Sequence, residues 1–142
     1  MYRDKEQAGR DLVVVAVAGR VAALDRHSGA ERWRSDLPGG SWGEVAVAVT
    51  EQHVLASAAG NVLFCLDYRT GEQLWTAQTS CTGRASILVD GEQIFVARSG
   101  EIECFSSTGK RLWHSPLKGM GTGAMALGLP GGVVQADAAS SG

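Results

Sequence analysis

Three histidines, three cysteines and one glycine-rich loop are the places where this 142-residue chain could do chemistry. A metal centre or an acid–base pair needs such side chains to converge, and spacings such as Cys-x-x-Cys or His-x-x-His announce that convergence. Neither spacing occurs. His27, His53 and His114 are far apart, as are Cys65, Cys81 and Cys104. The run Gly119-Met-Gly-Thr-Gly123 has the glycines of a phosphate-cradling loop, but no Lys-Ser or Lys-Thr pair follows it, and a strand rather than a helix is expected next. It reads as a linker. A net charge of −2, from 13 basic and 15 acidic residues, gives no reason to expect nucleic acid as a partner. No catalytic, metal-binding or cofactor-binding residue is assigned, and no cofactor is expected.

The elements that carry these residues are written three times. Each copy has a turn residue, a short apolar strand, a second turn ending in Gly, and a Trp four residues on. The copies run from Gly19 to Trp33, from Asn61 to Trp75 and from Gly100 to Trp113, with Asp25-Arg-His-Ser-Gly29, Asp67-Tyr-Arg-Thr-Gly71 and Ser106-Ser-Thr-Gly109 as their second turns. Trp33 to Trp75 is 42 residues and Trp75 to Trp113 is 38, a period that signals a repeat architecture. Cys65 and Cys104 share one repeat column with Ala23, which marks them as small buried residues rather than nucleophiles. An odd cysteine count without close pairs fits a reducing compartment better than a disulfide framework.

Four strands fit each repeat. An inner strand (Val45–Val49, matched by Ala85–Val89) leads through a polar turn to a second strand (Leu12–Ala18, Val54–Ala59, Ile94–Ser99). The tight turns Ala18-Gly19, Gly60-Asn61 and Ser99-Gly100 then lead to the third strand (Val21–Asp25, Leu63–Asp67, Ile102–Ser106), and the fourth carries the Trp. Asp25, Asp67 and Ser106 stand where a side-chain oxygen accepts from backbone N–H groups of the turn. The apolar run Leu12–Ala18 follows basic residues like a secretory leader, but Asp4, Glu6 and Asp11 balance that charge and the run aligns with the second strands. A cytoplasmic location is therefore expected. No run reaches the roughly 20 apolar residues of a membrane-spanning helix, so no membrane insertion is expected. Regular turns without a helical period predict an all-β fold, a β-propeller of four-stranded antiparallel blades.

The pattern Leu-Asp-x-x-Ser/Thr-Gly-x-x-x-Trp resembles the pyrroloquinoline-quinone-like (PQQ-like) propeller repeat of bacterial proteins, over nearly the whole chain from about residue 12. The WD40 repeat has a similar period but puts Asp after its Trp, where this chain has Arg34, Thr76 and His114. The resemblance implies that Trp33, Trp75 and Trp113, with Gly29, Gly71 and Gly109, are structural and dock neighbouring blades. It does not bring the cofactor with it. Quinoprotein dehydrogenases of the family are much longer and carry a vicinal Cys-Cys pair and a calcium-binding carboxylate set, whereas this chain has no adjacent cysteines. The resemblance implies the non-catalytic type of repeat, which serves as a binding scaffold.

Residues 1–11 read as a polar leader, 12–42, 43–82 and 83–118 as three blades, 119–138 as closing strands (Ala124–Leu127 and Val133–Ala136) and 139–142 as a tail. Closed propellers typically have four to eight blades, so the chain is expected to be a partial propeller and incomplete alone. The leading expectation is a homodimer closing as a six-bladed ring; completion by another polypeptide, or by further sequence of a longer propeller, is the alternative. Function is expected to be non-enzymatic protein–protein interaction, against the alternative of a small-molecule sensor or quinoprotein-like enzyme fragment using the central channel. The loops from Leu37 to Glu44, Thr79 to Arg84 and Leu117 to Gly123 would meet a partner, with Trp42, Arg84 and Met120 as the candidate contact residues. Trp42, outside the repeat column, either packs under its linker or lines a surface near the channel.

Overall fold

Apolar residues at every second position, bounded by Gly, Asn and Asp turns, commit this chain to strands that bury their faces against one another. The computed structural model describes residues 10–38, 45–57, 61–80, 85–123 and 125–135. Every regular element among them is a β-strand. The first blade is a three-stranded antiparallel sheet of β1 (Leu12–Val17), β2 (Arg20–Asp25) and β3 (Glu31–Asp36). The second has four strands in chain order, β4 (Ala46–Val49), β5 (His53–Ser57), β6 (Val62–Asp67) and β7 (Gln73–Gln78). The third repeats that order with β8 (Ala85–Asp90), β9 (Gln93–Arg98), β10 (Glu101–Ser106) and β11 (Arg111–Ser115). A hairpin of β12 (Ala126–Leu129) and β13 (Gly132–Gln135) follows. This is the predicted all-β propeller architecture in partial form.

The closing strands fall at slightly different positions from those expected. Pro130 and Gly131 form the two-residue turn between them, with Leu129 paired to Gly132 and Gly131 at a φ of 89°. Proline followed by a left-handed glycine is strong turn chemistry, and it sets both strand ends. The turns between second and third strands also hold a surprise. Ala18 and Ser99 join their glycines at positive φ, at 52° and 50°, because a tight hairpin needs both central residues left-handed to match the twist of its strands.

Each fourth strand carries a bulge facing one step of the third: between Ala23 and Leu24, Cys65 and Leu66, and Cys104 and Phe105. An extra residue on the Trp-bearing strand lies opposite each step, which sharpens the local twist.

Two cores lie between blades rather than within them. Val21, Ala23 and Trp33 of the first blade pack against Val54, Ala56, Phe64, Leu66 and Tyr68 of the second. Leu55, Leu63 and Cys65 of the second pack against Ile87, Ile94, Val96 and Phe105 of the third. Alternation sends one set of side chains backward and the other forward, so the second sheet contributes to both seams. The first strands are innermost: β4 packs on β8, and β12 and β13 pack on β8 in turn.

One seam holds a charge. Glu103 occupies the column that Phe64 fills in the second blade, and it is only 4% exposed. Its carboxylate accepts from the Ser80 backbone N–H at 2.9 Å and from the Ser80 hydroxyl at 3.1 Å, while Arg111 Nη1 donates to it at 2.9 Å. Those partners offset its desolvation. Glu103→Ala strands the Ser80 donor and part of the Arg111 charge and is expected to cost about 1–3 kcal/mol in urea unfolding, with Glu103→Gln recovering part of it.

Candidate interaction surface

The propeller presents two faces, each made by a different set of connections. One face carries the turns from first to second and from third to fourth strands. The other carries the second-to-third turns and the linkers between blades.

The first face is stiffened by its turns. Asp25 Oδ1 accepts from the backbone N–H groups of His27 and Ser28 at 2.8 and 2.9 Å, and Asp67 Oδ1 from those of Arg69 and Thr70 at 2.8 and 3.0 Å. Ser106 does the same work with a hydroxyl, accepting from Thr108 and Lys110. Backbone donation to the charged form holds the Asp25 carboxyl below the usual carboxylate range. Between the first two blades this face opens into a cleft of about 370 Å³ lined by Arg10, Leu12, Arg26, Val49, Glu51 and Tyr68. At its floor the Tyr68 hydroxyl accepts from the Leu12 N–H at 2.8 Å and contacts the Leu12 carbonyl at 3.2 Å, pinning the start of β1.

The second face holds the linkers. Leu37 is buried and donates its N–H to the Gly19 carbonyl; Thr79, one repeat on, is buried and donates to Asn61. Beyond these anchors the residues differ between linkers. Met120 is 75% exposed, at the tip of a turn in which its N–H donates to the Leu117 carbonyl. Trp42 and Arg84 lie outside the described residues, so of the three candidate contact residues only Met120 is placed. Gly39-Gly-Ser-Trp-Gly43 spells the Gly-x-Ser-x-Gly of a hydrolase nucleophile elbow. Those residues also lie outside the described set, but the elements on either side are strands β3 and β4, whereas an elbow joins a strand to a helix.

The other residues with chemical potential are dispersed. His27 sits in an exposed turn, His53 begins β5, and His114 on β11 meets the Glu101 carboxylate. Among the described residues no three His, Cys, Asp or Glu side chains cluster closely enough to hold a metal ion. Cys65 and Cys104 are buried free thiols in the small-residue column, and Cys81 lies outside the described residues. Burial, reinforced by Asp67, pushes the Cys65 thiol up to about 11, and burial raises that of Cys104 as well.

The Trp residues explain how the blades are joined. Trp33 lies over the glycine of the next blade's turn, and a Cβ on Gly71 would fall 2.4 Å from its Cε3. Its indole Nε1 donates to the Tyr68 carbonyl at 2.8 Å. Trp75 repeats the arrangement on Gly109, with 2.7 Å to Cε3 and a 3.0 Å hydrogen bond to the Ser107 carbonyl. Trp113 departs from the expectation that all three are wedges: it is 42% exposed and stands against Phe95 of its own blade at a centroid distance of 6.1 Å.

A family model described as "Outer membrane protein assembly factor BamB" matches residues 7–140. The chain belongs to this PQQ-like repeat family. The crystal structure of BamB from Moraxella catarrhalis is similar at a TM-score of 0.62 and 18% identity, over 89% of this chain and 40% of that one. A quinohemoprotein alcohol dehydrogenase from Comamonas testosteroni matches at 0.59 and 18% identity, over 74% of this chain and 19% of the enzyme. The computationally designed Ika4 protein reaches 0.71 at 17% identity, over 89% of this chain and 79% of the design. No curated protein sequence matches the chain. These likenesses show the fold. The chain spans less than half the length of the BamB it matches.

Two consequences can be measured. Trp33→Ala is expected to lower unfolding free energy by about 3–5 kcal/mol in denaturant titration, because a buried ring and its hydrogen bond leave a seam together. The thiolate, not the neutral thiol, is the nucleophile, and that of Cys65 gains population only as pH rises toward about 11. Alkylation of the native protein at pH 8, mapped by peptide mass spectrometry, should therefore spare Cys65 and Cys104 and label them once the chain is unfolded.

Proposed function

We propose that the chain is a non-enzymatic propeller scaffold that binds a protein partner through its linker face, the ring being completed by a second copy. The observation that carries this reading is the division of labour between conserved geometry and variable loops within one molecule. The Trp-over-Gly contacts, the Asp25 and Asp67 turns and the column holding Cys65 and Cys104 repeat from blade to blade and are consumed by structure. The linkers after Leu37, Thr79 and Leu117 do not repeat, and one of them presents Met120, a flexible apolar side chain suited to a protein surface. The innermost strands β4 and β8 read Ala-Val-Ala-Val and Ala-Ser-Ile-Leu-Val-Asp, so the wall they offer a channel is apolar over most of its length. Family membership supports the same direction, since the matching model describes an assembly factor.

Affinity capture with the whole chain as bait, compared with a Met120→Asp variant, is the direct test. A discrete protein retained by the native chain and lost with the variant supports the scaffold. A small molecule that co-purifies in native mass spectrometry, with capture unaffected by Met120→Asp, would instead favour a ligand sensor using the channel.

A further inference from the structure

The two ends of the blade array carry the two halves of one seam. At the forward end, Trp113 stands on β11 where Trp33 and Trp75 stand on β3 and β7, yet it is 42% exposed. At the backward end, the turn from Asp25 to Gly29 has the same backbone pattern as the turns that receive Trp33 and Trp75. Gly29 has a φ of 79°, against 76° at Gly71, but a Cβ built on it would meet nothing within 4 Å. The strand beside it tells the same story. Val13 and Val15 pair with β2 exactly as Val54 and Ala56 pair with β6 and Ile94 and Val96 with β10. Those counterparts are buried at 0%, 0%, 3% and 1% exposure, whereas Val13 and Val15 are 46% and 43% exposed, and Val17 beyond them is 70% exposed. The forward end has a ring without a turn. The backward end has a turn and an apolar column without a ring.

We infer that these halves meet between two copies of the chain: Trp113 of one docks on the Gly29 turn of the other, with its indole N–H donating to the Arg26 carbonyl. Arg26 follows Asp25 as Tyr68 follows Asp67 and Ser107 follows Ser106, and the latter two carbonyls receive Trp33 and Trp75. The inference rests on the proposed completion of the ring by a second copy and specifies which surfaces meet. Strand order agrees with it. Among the described residues the first blade holds its second to fourth strands, and β12 lies against β8 as β8 lies against β4, in the place of the next blade's first strand. The partner's β1 then takes the side of β12 that β13 holds in the single chain, bringing β2, β3 and the Gly29 turn with it. Among the described residues β13 brings no counterpart of these. Done twice about a two-fold axis, the exchange closes a ring of six blades from two chains.

Light scattering and sedimentation equilibrium on the 142-residue chain at micromolar concentration test this, with a dimer of twice 14.9 kDa expected. Trp113→Ala removes the ring, and Gly29→Asn keeps a residue that tolerates the left-handed turn while placing a side chain where the ring must sit. Each variant, checked for a native-like circular dichroism spectrum, should weaken dimerisation at least about 30-fold. An equimolar mixture of the two should associate more tightly than either variant alone, because a mixed pair retains one seam with both native halves. A monomeric native chain would overturn the inference. A native dimer unaffected by either variant, or variants whose mixture shows no recovery, would overturn the docking of Trp113 on Gly29. Neither result bears on the Met120-dependent capture that tests the scaffold itself.

Discussion

An indole ring laid flat on a glycine is the contact on which this molecule's order depends. A blade has too little sheet area to bury its own faces, so stability resides in the seams, and each seam is positioned by a ring that fits only where the facing residue has no Cβ. The fit is tight at Gly71 and Gly109, where any side chain would overlap Trp33 or Trp75. The indole N–H then finds a carbonyl in the same turn, so the ring is fixed in orientation as well as in depth. Everything outward of the seam follows from it: the turn must hold its shape, which Asp25, Asp67 and Ser106 secure, and the preceding strand must twist, which the recurrent bulge provides.

Much of this fold was legible from residue types alone, for a specific reason. Turns need particular residues at particular places, and the three Gly-to-Trp segments supply them in register, so the strands between them had no freedom to be anything else. The column of Ala23, Cys65 and Cys104 announced its burial by tolerating only small residues. The bulges were not legible, because an extra residue in a strand leaves no mark when every copy contains it. The exposure of Trp113 was hidden for a different reason. A ring's burial depends on what lies in front of it, and no property of β11 records whether another blade is there.

The candidate surface was less readable than the fold, and for the opposite reason. Repetition identifies residues by their recurrence, while an interaction site is made of what does not recur. Met120 stood out as an apolar side chain in a glycine-rich linker and is exposed at the tip of its turn. Glu103 escaped notice because a single Glu in a strand normally marks a solvent-facing position. Its role became visible only when Ser80 and Arg111, 23 and 8 residues away, were found on its carboxylate.

That buried carboxylate has a bearing on how the chain finds its fold. Blades of one repeat family are near-interchangeable surfaces, and a chain built from them risks docking the wrong pair during folding. A wrong neighbour pressed onto β10 would enclose the Glu103 charge without Ser80, leaving it only Arg111 of its own blade, a penalty no apolar column could impose. The seam between the second and third blades thus carries an address, written in a single charged residue, that tells the third blade which neighbour is its own.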